Sequence, residues 1–464
     1  MQVLESVVHS LLYVSGGGVG GLVCAVALSR YPDIQVDIYE AAHQLAEIGA
    51  GIGMWARTWR IMQQLGLDRD LAGIAKASSD MQPQVSFHFR KGDQEEGKDF
   101  YTLVTPGGMI PFHRPDFQSV LLRHVSPQCR THTSKRLKSY THLPIGHGAP
   151  STSPITLHFI DGTSASCDLL VGADGVKSAT RATMVRELAS QAAAAGRHDQ
   201  AEELQRTQPL WSGIYAYRAI IPMETLRMQS PGHRLLTDPM FYFGKDTQLT
   251  TYPISNGTIL NVAAFHTQYD LEDTKLDGSW TENIPREAVL RDFSEWEPEI
   301  QTLFQSIPQF NRWAVVTAPK LPTFVCGRVA LLGDAAHAMV PFQGSGAGQA
   351  IEDAYILATL LGHHLTTTAT LNRALQIYDT IRRPFAQRVA ERSRENGLLF
   401  TLNYPGFTLE QLPSEDPLPQ LDQISEKIRM NWDWAWNTTL DKDVECAVRM
   451  LETAEGLETA EGVY

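Results

Sequence analysis

The chain has 464 residues, which is enough for two or three domains with large cores. Its 43% hydrophobic and 20% charged residues are ordinary for a globular protein. A formal net charge of −13 argues against a general nucleic-acid binder, because such proteins normally present a basic face.

The cysteines point to neither a metal site nor a disulfide framework. There are five, spaced far apart and without a CxxC motif, so no metal ligation is expected. An odd, sparse set suits a reducing compartment such as the cytoplasm. No stretch resembles a membrane span, and the first 14 residues lack the basic region of a signal peptide.

The first elements along the chain form a β-α-β pattern. Leu11–Val14 reads as a short buried strand, Ser15–Gly21 as a glycine-rich loop and Leu22–Ser29 as a helix. A second strand, Gln35–Tyr39, ends at an acidic residue, Glu40. This order predicts a mononucleotide-binding unit.

The glycine loop carries a dinucleotide signature. Gly16 permits a tight turn, Gly18 lets a pyrophosphate approach the backbone, and Gly21 lets the helix pack on the strand. The helix N-terminus then offers free N–H groups to phosphate. Glu40 can accept hydrogen bonds from ribose hydroxyls and disfavours a 2′-phosphate, so the tightly held cofactor is expected to be FAD or NAD rather than NADP.

The remaining elements alternate between helical and β-rich regions. A β block follows residue 210 and suits a sheet that roofs a binding site. The tail repeats Leu-Glu-Thr-Ala-Glu-Gly at 451–456 and 457–462, and is expected to fray, as are the weakly patterned residues 1–10. The expected elements are helices at Ala56–Leu65, Pro115–Val125, Met184–Gln208, Gly348–Leu361 and Ile381–Asn396, and strands at Ile155–Phe159, Ser164–Leu170, Ile214–Ile221, Met240–Phe243, Thr247–Tyr252, Thr258–Phe265 and Val329–Leu332.

Two later motifs narrow the cofactor to FAD. Asp168–Gly175 is an apolar strand that ends in Ala-Asp-Gly and so presents Asp174. Gly327–His337 contains a second strand that ends in Gly-Asp, where Asp334 can accept a bond from a ribityl hydroxyl. The small residues 341–348 then open a helix whose N–H groups could hold the electron-rich end of an isoalloxazine ring.

With these three ordered motifs, residues 11–400 resemble the single-component flavoprotein aromatic hydroxylases, in particular the salicylate-hydroxylase-like branch that includes fungal dearomatising phenol monooxygenases. The resemblance implies an α/β fold: a Rossmann-like FAD-binding domain, an inserted β-rich substrate domain and C-terminal helices. The implied boundaries are 1–80, 109–205 and 321–400 for the FAD domain, 81–108 for a β excursion, 206–320 for the substrate domain and 401–464 for the C-terminal helical region and tail.

The resemblance also implies FAD contacts beyond the first glycine loop. It assigns them to Glu40, Gly53, Arg114, Asp334 and Ala347. Arg114 could instead be a surface salt-bridge partner, and Gly53 a simple turn glycine.

The expected reaction requires three events. A reduced nicotinamide delivers hydride to the flavin, O2 adds at C4a to give a hydroperoxide, and an electron-rich phenolate attacks the distal oxygen. The chain has one dinucleotide fingerprint, which fits the resembled class, where NADH or NADPH visits transiently, and the choice between them stays open.

Two residues of the β block are the catalytic candidates. Arg218 would lower a phenol's pKa and anchor its oxygen or a carboxylate, although it could also lie on a solvated strand face. Tyr252 resembles a tyrosine that hydrogen-bonds the substrate oxygen or relays its proton, although it could be a core tyrosine. Many relatives have a histidine four residues earlier; here that residue is Gln248, which cannot act as a general base.

Two histidines are ambiguous. His337 could line the flavin cavity or pack between helices, and His113 is expected to be structural.

Several alternatives stay open at this level. The same fold supports epoxidation of an alkene and non-oxygenating flavin reduction, and a flavin-binding regulator with a degraded site is a non-enzymatic alternative. Arg218 is compatible with a hydroxybenzoate, a resorcylic aldehyde or a prenylated phenol, and hydroxylation could be coupled to decarboxylation or dearomatisation. The oligomeric state cannot be inferred.

Overall fold

The computed structural model describes residues 10–45, 51–75, 81–142, 154–407 and 418–453. The expectations for residues 1–9 and for the acidic repeats after residue 453 lie outside this described part. Within it, no helix combines the length and the apolar character needed to cross a membrane.

Strands and helices alternate along most of the chain. The strands are β1 Ser10–Ser15, β2 Ile34–Tyr39, β3 Gly51–Met54, β4 Pro83–Lys91, β5 Lys98–Pro106, β6 Ile110–His113, β7 Arg130–His132, β8 Leu137–His142, β9 Ile155–Phe159, β10 Ser164–Cys167, β11 Leu169–Gly172, β12 Leu210–Pro222, β13 Met240–Gly244, β14 Thr247–Ile254, β15 Ile259–Thr267, β16 Thr281–Pro285, β17 Gln309–Thr317, β18 Val325–Cys326 and β19 Val329–Leu331. The helices are α1 Val19–Leu28, α2 Ala56–Gln64, α3 Asp68–Ala72, α4 Arg114–His124, α5 Ala179–Ala194, α6 His198–Gln205, α7 Met223–Gln229, α8 Arg286–Asp292, α9 Pro298–Gln305, α10 Asp334–His337, α11 Gly346–Leu361, α12 Leu371–Phe400, α13 Leu418–Trp432, α14 Trp434–Asn437 and α15 Asp441–Glu452.

A mostly parallel sheet forms the first layer and confirms the expected fold class. Its order is β18-β19-β11-β1-β2-β7, and β1 lies parallel to both β2 and β11. Every residue of α1 is buried, which explains why its sequence is apolar on all faces. The carboxyl ends of β1, β11 and β19 lead into the three motifs, so the sheet brings their loops to one edge.

The expected strand Ser164–Leu170 is wrong, because the segment divides into β10 and β11, which belong to different sheets. The division falls at Asp168, whose N–H donates to the Leu11 carbonyl at 2.8 Å while its Oδ2 accepts from the Leu11 N–H at 2.9 Å. These two bonds move the chain from a three-stranded antiparallel sheet to the parallel one.

The expected helix Met184–Gln208 is also corrected. It begins earlier, at Ala179, because the Ser178 hydroxyl caps it by accepting a bond from the Arg181 N–H at 2.8 Å. It breaks at Gly196, which adopts a φ of +75°, so α5 and α6 are separate helices.

A second sheet has eight strands in the order β16-β17-β12-β15-β14-β13-β4-β5. Strands β4 and β5 from the 81–108 segment therefore join strands from the 206–320 segment, although the division into domains stays a prediction. One face packs on α7, α8 and α9 through residues such as Tyr217, Tyr242 and Leu249. The other face, with Phe87, Phe241 and Phe265 among others, packs towards α12, α13 and α14.

Candidate active site

Two adjoining cavities lie at the edge of the parallel sheet that carries the three motif loops, and the smaller one extends to the eight-stranded sheet. The larger, of about 540 Å³, is lined by the glycine loop, Glu40 and Asp174. The smaller, of about 380 Å³, is lined by residues of both sheets, including Arg218 and Tyr252. Both are lined by Gly18, Arg114, Ala173 and Gly175, so they form one groove.

The first loop needs its glycines for backbone approach. Gly16 has a φ of +111°, and a Cβ there would lie 2.2 Å from the Ala173 carbonyl oxygen. A Cβ at Gly21 would lie 2.0 Å from the Gly16 carbonyl oxygen, so Gly21 shapes the loop from beneath. Gly18 is the N-cap of α1 and supplies no side-chain cap, which leaves the first N–H groups of the helix open to the groove.

Glu40 ends β2 and holds the glycine loop. Its Oε2 accepts from the Gly17 N–H and its Oε1 from the Ala42 N–H, each at 2.7 Å. A carboxylate has roughly four lone-pair sites, so Glu40 can still accept a bond from a ligand hydroxyl.

Asp174 uses its carboxylate within its own motif. Its Oδ2 accepts from the N–H and the hydroxyl of Thr180 at 3.0 Å, and its Oδ1 accepts from Ser178. Burial raises the pKa of Asp174, while these hydrogen bonds oppose the shift. Asp174 therefore fixes the turn before α5, and it also lines the larger cavity.

Arg181, downstream in the same motif, connects three segments. Its guanidinium donates to the carbonyls of Ala335, Ala336, Thr207 and Pro319 at 2.8–3.4 Å. Burial lowers the pKa of Arg181 to about 10. The residue thereby ties the start of α5 to the Gly-Asp-Ala-Ala-His motif.

The Gly-Asp motif presents Asp334 and buries His337. Asp334 is exposed and lines the smaller cavity, directly after Gly333, whose φ is +59°. His337 lines neither cavity. Its Nε2 lies 2.6 Å from Oδ2 of Asp353 in the core. The structure therefore supports packing between helices for His337, rather than a place in the cavity wall.

The N-terminus of α11 opens onto the same cavity. Its N-cap, Ser345, makes no side-chain cap, and its first turn has no acidic residue. Gly346 and Ala347 line the cavity there. The uncapped N–H groups give this wall a partial positive charge.

Gly53 and Arg114 lie on two neighbouring elements, β3 and the start of α4. Both line the smaller cavity, and Arg114 lines the larger one as well. His113, next to Arg114, has its Nδ1 3.3 Å from Oδ2 of Asp116 in an ion-pair arrangement. That contact fits the structural role expected for this histidine.

Strand β3 also lies directly against the candidate tyrosine. A Cβ at Gly51 would lie 2.6 Å from the Tyr252 hydroxyl oxygen, so only glycine fits. The Gly51 N–H donates to Oδ1 of Asn261 at 3.0 Å, and Asn261 is the cross-strand neighbour of Tyr252. Asn261, which the sequence did not single out, therefore holds β3 against the sheet.

The two catalytic candidates share one face of the eight-stranded sheet. Arg218 pairs with Ala263 across β12 and β15, and Ala263 pairs with Thr250 across β15 and β14. Side chains alternate faces along a strand, so Tyr252 and Gln248, two residues either side of Thr250, lie on the same face. All five residues line the smaller cavity.

Arg218 carries a charge that no carboxylate in the described part of the chain balances. Among the described residues, no carboxylate pairs with its guanidinium and no side-chain hydrogen bond is made by it. Burial lowers the pKa of Arg218, the nearby Tyr252 opposes that shift, and the positive charge of Arg114 adds to it. Two cations therefore face a cavity in which Asp334 is the anionic group among the described lining residues.

Tyr252 stays a hydrogen-bond donor over the working pH range. Burial raises its pKa to about 12, while the Arg218 charge acts in the opposite direction. Within the described part of the chain its hydroxyl has no hydrogen-bond partner. Tyr252 can therefore donate to a ligand oxygen next to Arg218.

Aromatic side chains close the remaining walls. Phe87, Phe241 and Phe265 come from three strands of the sheet, Trp55 precedes α2, and Trp432 ends α13. These side chains make that part of the groove predominantly apolar. Trp432 was not identified from the sequence, because nothing in the local pattern of α13 distinguishes it from a core tryptophan.

Comparison with known proteins agrees with this geometry. The family described as FAD binding domain matches residues 10–393. FAD-dependent monooxygenase str9 from Strobilurus tenacellus is 34% identical, with 95% of this chain and 97% of that protein covered. Salicylate hydroxylase from Pseudomonas putida is also 34% identical, with 92% of each covered.

Solved structures show the same fold. A salicylate hydroxylase substrate complex superposes with a TM-score of 0.78 at 29% identity, with 95% of this chain and 98% of that chain covered. The HpxO protein of Klebsiella pneumoniae complexed with FAD and uric acid gives a TM-score of 0.65 at 21% identity, with 97% of this chain and 99% of that chain covered, which reports on the fold alone.

Proposed function

The chain belongs to the family of FAD-dependent aromatic monooxygenases that includes salicylate hydroxylase, and from that premise we propose that it hydroxylates a small phenolic substrate with NAD(P)H and O2. In the balanced reaction one oxygen atom enters the ring as a hydroxyl and the other leaves as water, while the nicotinamide gives up two electrons. The observation that carries the proposal is the unbalanced guanidinium of Arg218 beside the Tyr252 hydroxyl in an aromatic cavity.

The groove fits FAD on its own geometry. Two uncapped helix N-termini, those of α1 and α11, open onto the smaller cavity, and the N-terminus of α1 lines the larger one as well. The tight glycine loop tolerates no side chain at Gly16 or Gly21, where a Cβ would meet a backbone oxygen at 2.2 and 2.0 Å. We therefore assign FAD contacts to the residues proposed from the sequence, with Gly21 and Asp174 acting by shaping the loops: Gly16, Gly18, Gly21, Glu40, Gly53, Arg114, Asp174, Asp334 and Ala347.

FAD, when bound, supplies the two-electron chemistry by which a reduced nicotinamide activates O2. The remaining work belongs to the chain. Arg218 anchors the phenolic oxygen and favours its ionised form, because an always-charged guanidinium lowers the pKa of a neighbouring acid. Tyr252 donates a hydrogen bond to the same oxygen and so orients the ring. The aromatic walls exclude water.

The absence of a histidine at position 248 alters the proton route. Gln248 cannot take the phenolic proton, so the substrate loses it on binding near Arg218, or earlier in solution. A substrate that already carries an electron-withdrawing group, such as an ortho or para aldehyde, suits this arrangement, because that group lowers the phenol's pKa. Decarboxylation and dearomatisation are compatible with it, because both begin from the same ionised ring.

A coupled turnover screen tests the proposal. The FAD-loaded protein would be supplied with NADH or NADPH, O2 and a panel of phenolic acids and aldehydes, and nicotinamide consumption, peroxide and product mass would be followed together. We expect at least one phenol to stimulate nicotinamide oxidation and to gain 16 mass units, or to exchange its carboxylate for a hydroxyl. Stimulated oxidation without any oxygenated product would instead support the non-oxygenating reductase.

A further inference from the structure

A second polar feature lies on the same sheet face as Arg218 and has no role in the proposed chemistry. Gln248 is fully buried and lines the smaller cavity. Its Nε2 donates to the Thr250 hydroxyl oxygen at 2.7 Å, and its Oε1 has no partner among the described residues. Its cross-strand neighbours, Phe243 and Phe265, are apolar and supply none.

Gln248 and Thr250 together leave two hydrogen-bonding positions unfilled among the described residues. Oε1 of Gln248 lacks a donor. The Thr250 oxygen already accepts a bond from Gln248, so its O–H proton remains to be donated, and no described group receives it. Leaving a buried carbonyl oxygen unsatisfied is costly, so a ligand that supplies the missing partner gains affinity.

We propose that Gln248 and Thr250 form a specificity site for a second, un-ionised hydroxyl group on the substrate. This inference rests on the proposed function and narrows its substrate class to an aromatic compound with an anionic oxygen at one end and a neutral hydroxyl at the other. A hydroxyl can donate to Oε1 of Gln248 and accept from Thr250 at once. A carbonyl or an ether oxygen can only accept, so it leaves the glutamine oxygen unsatisfied.

The spacing on the sheet suits such a substrate. Arg218 lies two strands from Thr250, which is roughly 10 Å between backbones. The residue between them is Ala263, whose small side chain leaves room in the cavity for an aromatic ring. The anion then lies at Arg218 and Tyr252, and the neutral hydroxyl lies towards Gln248.

Binding measurements on matched ligands test this inference apart from turnover. The FAD-loaded protein would be titrated by calorimetry with salicylate, with its four singly hydroxylated derivatives (2,3-, 2,4-, 2,5- and 2,6-dihydroxybenzoate) and with the methyl ether of the one that binds best. We expect one dihydroxybenzoate to bind about tenfold more tightly than salicylate and than its own methyl ether.

Two variants show whether Gln248 is the cause. Gln248→Met keeps the length of the side chain and removes both polar groups, and we expect it to abolish the tenfold preference while salicylate affinity changes little. Thr251→Val is the matched control, because Thr251 points to the opposite face and its buried hydroxyl oxygen has no partner to lose. It should retain the preference, and bound FAD content checks the fold of both variants.

The outcomes separate the two proposals. A preference that survives Gln248→Met, or the absence of any hydroxyl preference in the wild type, overturns the role of Gln248 even if phenols are hydroxylated. Tight, Gln248-dependent binding without oxygenated product overturns the proposed reaction and leaves the hydroxyl site standing. Failure of every hydroxybenzoate to bind overturns the substrate class.

Discussion

The protein holds arginines in two contrasting environments. Behind α11, Arg382 is fully enclosed and bonded to Asp353, Glu352 and Gln349 at 2.7–2.9 Å. Arg57 extends the same network through Glu352. On the cavity side, Arg218 has no carboxylate partner among the described residues.

This difference distinguishes an arginine that stabilises the fold from one that is available to a ligand. A buried cation whose donors are all satisfied stabilises a single packing arrangement, whereas one that is left unbalanced awaits a ligand. The complete network also reaches the cofactor groove, because Asp353 Oδ2 accepts from the Gly333 N–H at 3.0 Å, next to Asp334. The first region therefore supports the loop, and the second is the region that we propose receives the substrate.

The largest expected effect comes from breaking the complete network. Arg382→Met leaves Glu352 and Asp353 buried without their main cation, and we expect the free energy of unfolding to fall by about 3–5 kcal/mol. Arg227→Met is the control, because Arg227 pairs with Glu224 where both side chains are exposed, and its loss should cost at most about 1 kcal/mol. Chemical denaturation measures both, and equal losses would contradict a special role for the network.

Replacing Arg218, the arginine on the cavity side, should lower activity without lowering stability. We expect Arg218→Met to lower kcat/KM for the best phenol about 100-fold, or about 3 kcal/mol, because the substrate anion loses its partner. The free energy of unfolding should not fall, since the half-buried Arg218 has no carboxylate partner to lose among the described residues. Arg312→Ala, an arginine on the adjacent β17 that pairs with Glu282, should keep wild-type turnover. A destabilised Arg218→Met protein would mean that this cation is structural.

The stability supplied by the Arg382 network should depend on pH through Asp353. Salt bridges to His337 and Arg382 lower the pKa of Asp353 to about 2, although burial alone would raise it. Since the folded pKa lies below the unfolded value, this stabilisation is present above about pH 4 and is lost as the pH falls towards 2. We expect the stability advantage of wild type over Asp353→Asn to shrink by about 2 kcal/mol between pH 5 and 2.5. A constant advantage would contradict an ionised Asp353.

The smallest expected effect concerns the hydroxyl beside Arg218. We expect Tyr252→Phe to bind FAD normally and to lose about tenfold in coupled hydroxylation, because one hydrogen bond to the substrate oxygen disappears. Tyr217→Phe is the matched control, since Tyr217 lies on the opposite face and donates to Asp292 at 2.6 Å. Product formed per nicotinamide consumed is the measurement, and wild-type coupling in Tyr252→Phe would remove it from the site.

The local motifs could be predicted from the sequence because their chemistry depends on neighbours along the chain. The β-α-β unit, Glu40 and the Gly-Asp turn each lie within one segment. Arg218 and Tyr252 could be nominated individually, but their common face depends on the register of β12, β15 and β14. The strand break at Asp168 was missed because its partner is the distant Leu11.

Other features depend wholly on tertiary structure. Arg57 and Glu352 are 295 residues apart, and no periodicity links them. Trp432 enters the cavity from a C-terminal helix, and Asn261 acts through the backbone of Gly51. His337 has the same sequence signature in either of its two roles, and only its contact with Asp353 distinguishes them.

The ionisation state of a bound phenol tests the central claim most directly. A nitrophenol carrying a carboxylate absorbs in the visible range only as its phenolate, so its pKa can be followed in the FAD-loaded protein by difference spectra. If Arg218 is the counter-charge for the substrate, the bound pKa should lie at least about one unit below the free value in wild type and return towards it in Arg218→Met. A bound pKa that is unchanged or raised in wild type would contradict the account.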